Sequence, residues 1–211
     1  MIDENASDAN RFPEPLAMID NSPVRGLSVS NACGTGGFEA RGLAKICERA
    51  YPFPATEPAV DPAVTKRQLR AWLDHRMREA AHRGAIAGGK YPHLCFMIDM
   101  LLELEPESRF IHIDRPLEES VRSLTDRSEK ARGWLHATSE QCDRLQRALA
   151  AAKRDALAKV SPDRVLTIRY HELLVDAASP IDRIIEFLTL QVGVEQRQAA
   201  IALVEPNRKS F

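Results

Sequence analysis

Cysteine is scarce and scattered in this sequence. Cys33, Cys47, Cys95 and Cys142 form no CxxC pair, and no histidine stands beside them at zinc-ligand spacing. A zinc cluster written into the sequence is excluded, and reduced thiols in a cytoplasmic protein are the simplest reading. An excess of charge of one sign is also lacking. Lys and Arg number 29 against 30 Asp and Glu, for a formal net charge of −1. That balance offers no general footprint for nucleic acid or for a membrane surface, so any anion site must be a local cluster. No apolar run approaches the ~18 residues that suggest a membrane span. The opening stretch "MIDENASDANRFPEP" is acidic and polar, unlike a secretory signal. No metal-ligating cluster and no repeat is visible.

What is present suffices for one core. Hydrophobic residues make up 44% of 211, which fits a single domain of moderate size. Residues 1–24, rich in Pro, Asp and Asn, read as a partly ordered N-terminal arm, and residues 25–211 as one α/β domain. Leu27–Asn31 is a short strand candidate, and Phe38–Arg49 has helical spacing through Phe38, Leu43 and Ile46. Tyr51–Pro62 is broken by Pro52, Pro54, Pro58 and Pro62 and must be a loop. Asp61-Pro62 then opens a helix, with Asp at the N-cap and Pro at the first helical position, running to about His82. "RGAIAGGKYPH" breaks the pattern, and Leu94–Leu104 predicts a buried helix ended by Pro106. Arg109–Asp114, "RFIHID", is the clearest strand and turns directly into a helix. Polar helices follow to Lys159, then a strand at Val165–Tyr170 and a helix at Ile181–Leu190. Strands alternating with longer helices predict a three-layer α/β sandwich around a mostly parallel sheet.

Ligands of such sheets sit beyond the carboxyl ends of the strands, so three strand ends draw attention. At the first, "NACGTGG", Gly34, Gly36 and Gly37 allow backbone N–H groups to approach an anion closely. Thr35 adds a hydroxyl, and the next helix adds its dipole. The cluster holds no Lys or Arg, and the lysine of a Walker A loop is missing. A tight strand–helix turn with packing glycines is the plain alternative. At the second, Arg115 leaves the strand, and Ser120 and Ser123 follow within two turns. A guanidinium and a hydroxyl there could grip one phosphate, or Arg115 could simply pair with Asp114, Glu118 or Glu119. At the third, Tyr170 could stack on a flat base or pack at a boundary.

The joint order of these features resembles the P-loop-like sulfotransferase family, bacterial members above all. The family has a strand, an R-S-G-T loop and a helix where this chain has "ACGTGGFEAR". A strand ending in Arg with Ser eight positions later matches Arg115 and Ser123. A K-x-P-x-L segment matches Lys90, Pro92 and Leu94, and a strand ending Tyr-Glu-x-Leu is similar to "YHELL" with one residue inserted. The resemblance covers roughly residues 25–205.

It implies a P-loop NTPase-like sulfotransferase fold and 3′-phosphoadenosine-5′-phosphosulfate (PAPS) as co-substrate, with no metal. Cys33, Gly34, Thr35, Gly36 and Gly37 would then hold the 5′ phosphosulfate. Arg115 and Ser123 would hold the 3′ phosphate, and Tyr170 would close the nucleotide site. The family's cation before S-G-T is replaced by Ala32, so Lys90 or Arg41 would have to supply that charge. Glu39 and His93 are rival candidates for the base. Arg208 and Lys209 could fold back to the 3′ phosphate or form a frayed tail. The acceptor would be a small molecule or saccharide bearing a hydroxyl or amine. The polar helices could line its pocket or form a homodimer face. The alternatives are a catalytically weak relative that binds an adenine nucleotide, and a small P-loop kinase. The second is disfavoured because the Walker A lysine and its neighbouring Ser/Thr are absent.

Overall fold

A computed structural model of the chain describes residues 16–20, 39–130 and 137–204, with backbone alone at 16–20, 39–41 and 130. Its centre is a four-stranded sheet in the order β2-β1-β3-β4. The strands are β1 (Leu16–Asp20), β2 (Gly88–Lys90), β3 (Arg109–Asp114) and β4 (Val165–Arg169). All three pairings are parallel. The eight described helices are α1 (Glu39–Ala50), α2 (Pro62–His82), α3 (Ile98–Leu104), α4 (Leu117–Lys130), α5 (Ser139–Leu157), α6 (Tyr170–Val175), α7 (Ala178–Phe187) and α8 (Val194–Val204).

The alternation of side chains along β3 divides the core into two layers. Phe110 joins a cluster built from α1, α2, α3 and α5, including Leu43, Leu69, Ile98 and Leu149. Ile111 and Ile113 join the opposite cluster, with Tyr170 and Leu173 of α6, Ile181 of α7 and Ile201 of α8. Both faces of the sheet are therefore covered, as an all-parallel sheet requires. The three-layer expectation holds.

Local chemistry starts two of the helices, the first where the sequence predicts it. Asp61 caps α2 by accepting a hydrogen bond from the Ala63 N–H at 2.7 Å, with Pro62 in the first turn. Thr138 and Gln141 form a reciprocal capping box at the start of α5. Two expectations change. The helix expected over Leu94–Leu104 is a 3-10 turn, Pro92–Met97, followed by α3; 3-10 turns commonly lead into α-helices. The strand expected at Val165–Tyr170 ends at Arg169, and Tyr170 opens α6.

The N-terminal arm needs the largest correction. Leu16–Asp20, inside the segment read as an arm, is a strand bonded on both edges, with Leu16 in register with Gly88 and with Arg109. It is five residues long and follows Pro13 and Pro15, so its own pattern is weak. Two flanking ladders supply what local propensity does not. Its continuation from Asp20 to Glu39 carries the Leu27–Asn31 strand candidate and the glycine cluster, both outside the described residues.

β2 is also an addition. It lies in the stretch read as a break, and Gly89 explains why. A Cβ there would stand 2.6 Å from the Trp72 ring and 2.8 Å from Leu43 Cδ2. Only glycine lets α1 and α2 press this closely on the strand that delivers Lys90.

Candidate active site

Four parallel strands place their carboxyl ends on one edge of the sheet. Asp20, Lys90, Asp114 and Arg169 end them. Lys90 and Arg115 lie on either side of β1; Lys90 is level with Met18 and, through it, with Ile111, so Arg115 stands four residues further along the strand direction. The connection holding the glycine cluster leaves from the strand between them. Cys33, Gly34, Thr35, Gly36 and Gly37, with Ala32, are outside the described residues, as are Arg208 and Lys209. Glu39 is the first residue of α1, and its side chain is likewise outside the description.

Arg115 is the best-defined member. Its side chain is only 7% exposed. Its Nε donates to Glu119 Oε2 at 3.3 Å, and its Cζ lies 4.5 Å from the centroid of the Tyr170 ring. The guanidinium thus sits over an aromatic face in a cation–π contact. Tyr170 is buried at the start of α6, and one face of its ring carries Arg115. Ser123 is half-buried on α4, one helical turn beyond Glu119 and on the same stripe of that helix. Arg115 therefore lies against the face of α4 that bears Ser123. Ser120, the other candidate hydroxyl, is buried.

Glu119 and His171 complete the cluster. His171 Nε2 lies 2.9 Å from Glu119 Oε1. That hydrogen bond, reinforced by Arg115, holds the Glu119 carboxyl below the usual range. Sequence reasoning named Glu119 only as a surface partner for Arg115 and passed over His171. The signal was present: an Arg and a Glu four residues apart at a strand–helix joint. Nothing local says that a histidine 52 residues further on will meet the same carboxylate.

Lys90 and His93 flank the other half of the edge. Lys90 ends β2, in register with Met18, and is half-buried. His93 is 6% exposed, stacked on Tyr91 at 5.5 Å and edge-on to Phe96 at 6.2 Å. Neither of its ring nitrogens has a hydrogen-bond partner. Burial lowers its pKa, with the Glu48 carboxylate pulling the other way. The Tyr91 hydroxyl donates to Glu48 at 2.6 Å, which ties this segment to α1.

His112, on β3 beside this edge, is half-buried on a face of the sheet. Burial, helped by the Lys153 ammonium and opposed by Asp114, pushes its pKa down from 6.5 to about 4. The folded protein therefore holds it neutral, while the unfolded chain takes up a proton below about 6.5. Its contribution to stability is complete above that pH and is lost as pH falls towards about 4. The thermal midpoint should drop across this window, and His112→Gln should reduce the slope. An unchanged slope in the variant would remove His112 as its source.

No group of three or more His, Cys, Asp or Glu among the described residues is arranged to hold a metal ion. No described helix is long and apolar enough to cross a membrane. Cys47, Cys95 and Cys142 are buried and reduced.

A parallel sheet covered on both faces, with basic side chains at its carboxyl edge beside the β1–α1 connection, defines the class of doubly wound α/β folds that bind ligands at that edge. The profile of the Sulfotransferase family matches residues 21–193, beginning directly after β1. The chain belongs to this family. The fold is similar to the sulfotransferase domain of the curacin biosynthetic pathway, with a TM-score of 0.58 at 14% identity, covering 89% of this chain and 77% of that one. It is also similar to sulfotransferase STF1 from Mycobacterium tuberculosis H37Rv (TM-score 0.51, 13% identity, 95% and 78% covered). Sulfotransferase STF9 from Mycobacterium avium gives a TM-score of 0.51 at 16% identity, with 92% and 68% covered. No curated protein matches the sequence. The family assigns the protein to the transferases, and its chemistry is sulfuryl transfer.

Proposed function

We propose that the protein moves a sulfuryl group from PAPS to a hydroxyl or amine of a small-molecule or saccharide acceptor. The observation that carries this reading is Arg115. A buried guanidinium stands at the carboxyl end of a central parallel strand, against the helix face that bears Ser123. Together these groups suit a phosphate on the ribose, the feature that separates this donor from ordinary adenylates. PAPS supplies an activated sulfuryl group on a phosphate leaving group. Charge on that leaving group must be neutralised, and the acceptor must be aligned and deprotonated.

The Gly34–Gly37 amides and Thr35, with Cys33, are assigned to the 5′ end on sequence grounds. Lys90 is the described candidate for the cation that Ala32 does not provide. It ends the strand beside β1, and its ammonium would neutralise charge on the bridging oxygen. His93 is the favoured base. Burial keeps its imidazole neutral at pH 7, the state that accepts a proton. Glu39, at the first position of α1, is the rival. Three buried reduced cysteines accord with a cytoplasmic protein.

The missing cation at Ala32 also favours a second reading, a relative that binds the nucleotide but turns over slowly. One experiment separates the cases. Thermal stabilisation by adenosine 3′,5′-bisphosphate is compared with that by 5′-AMP and by ATP-Mg. The bisphosphate at 100 times its Kd should add ~2.7 kcal/mol, well above the other two at equal concentration. A preference for ATP-Mg would point to a kinase and end the sulfotransferase reading. Sulfuryl transfer to an acceptor panel then tells enzyme from binder, and His93→Gln should lose turnover while keeping the bisphosphate response.

A further inference from the structure

We infer that Glu119 is a positioning residue, which with His171 and the ring of Tyr170 sets the plane of the Arg115 guanidinium and presents its terminal amino edge to the ribose-linked phosphate. The inference rests on the nucleotide reading above and adds residues which that reading does not assign.

A free arginine side chain samples many orientations, and a phosphate is held well only when two N–H groups point at it together. Two contacts remove that freedom here. The Tyr170 ring lies 4.5 Å from Arg115 Cζ and covers one face of the guanidinium. Glu119 Oε2 accepts from Nε, the inner nitrogen of the fork. With the face and the inner edge both engaged, the two terminal amino groups form the remaining edge.

The details of the ion pair favour positioning over simple occupation of the arginine. At 3.3 Å the contact is long, and one carboxylate oxygen meets one nitrogen. A carboxylate that saturates a guanidinium makes two short parallel bonds instead. The other oxygen of Glu119 is engaged elsewhere, by His171 Nε2 at 2.9 Å. Glu119 therefore bridges two elements. It stands in the first turn of α4 after β3, and His171 stands in the first turn of α6 after β4. The rings of Tyr170 and His171 are edge-to-face, 6.0 Å between centroids. The four side chains form a closed arrangement joining two neighbouring strand ends, with Arg115 as its most buried charge. Ser123 lies one turn further along the same stripe of α4, so whatever fixes Glu119 also fixes the separation of guanidinium and hydroxyl.

The test measures Kd for adenosine 3′,5′-bisphosphate and for 5′-AMP, by titration of the full chain and of three variants. Glu119→Ala should weaken the bisphosphate about tenfold and leave 5′-AMP within about twofold, so the ratio of the two constants falls. Glu119→Gln keeps an acceptor oxygen for Arg115 and a polar group for His171, and it should restore most of the ratio. His171→Ala should give a smaller loss than Glu119→Ala. A structural role alone would move thermal midpoints without changing the ratio. Should Glu119→Ala bind the bisphosphate more tightly, Glu119 is a competing anion and the inference is overturned. It is equally overturned if the wild-type chain prefers the bisphosphate and Glu119→Ala keeps the whole preference, with the nucleotide reading left standing. A wild-type chain indifferent to the 3′ phosphate removes the nucleotide reading first, and the positioning role with it.

Discussion

Arg115→Ala is expected to abolish the selective response to adenosine 3′,5′-bisphosphate. A charge-assisted bond between guanidinium and phosphate contributes more than a neutral one, up to about 3 kcal/mol net. Its loss corresponds to on the order of a hundredfold in Kd. The effect should be confined to the 3′ phosphate, so 5′-AMP should bind the variant and the wild type alike. The fold should tolerate the change. Glu119 is about one-third exposed and keeps His171, so the variant leaves no buried unpaired charge. The cost in stability should be on the order of 1 kcal/mol, as for other partly exposed pairs. Arg115→Lys should recover little, because an ammonium cannot stack flat on Tyr170 or present two parallel donors. Titration calorimetry with both nucleotides checks all of this. A variant that still prefers the bisphosphate would take Arg115 out of the site.

Phe110→Ala should have the largest effect on stability. Phe110 is fully buried on the central strand β3, in the cluster formed with α1, α2, α3 and α5. Removing a buried phenyl ring typically costs ~3–5 kcal/mol, part lost burial and part cavity. Domains of this kind are stable by only ~5–15 kcal/mol, so the thermal midpoint should fall by on the order of 10 °C. Chemical denaturation measures the change directly. Below the new midpoint, the bisphosphate should still bind the folded fraction with near-normal affinity, because Arg115 stacks on Tyr170 of one core layer while Phe110 packs in the opposite one. A loss under 1 kcal/mol would mean that this layer of the core is not packed as described.

The two expectations differ in how far they could be read without the fold. "RFIHIDRP" shows a strand with an arginine just beyond its end directly, because β-branched and aromatic residues stop where charges and a proline begin. The helix caps at Asp61 and Thr138 are equally local, and so is the spacing of Arg115 and Ser123. In contrast, β1 was hidden. Leu16–Asp20 is short and set among prolines, and it becomes a strand because β2 and β3 bond both its edges. β2 was hidden for a related reason. Gly88 and Gly89 look like a loop, yet glycine is what permits Trp72 and Leu43 to close over the strand.

The same division runs through the site. Sequence alone determined the α/β class, the arginine and serine two turns apart, and the lysine–histidine segment, since each is encoded by neighbours along the chain. Only the tertiary structure decided that Tyr170 offers its ring to Arg115, and that Glu119 reaches across to His171. Those contacts join residues more than 50 positions apart. They exist because two parallel strands must end on the same edge, and residue spacing carries no record of which side chains will meet there.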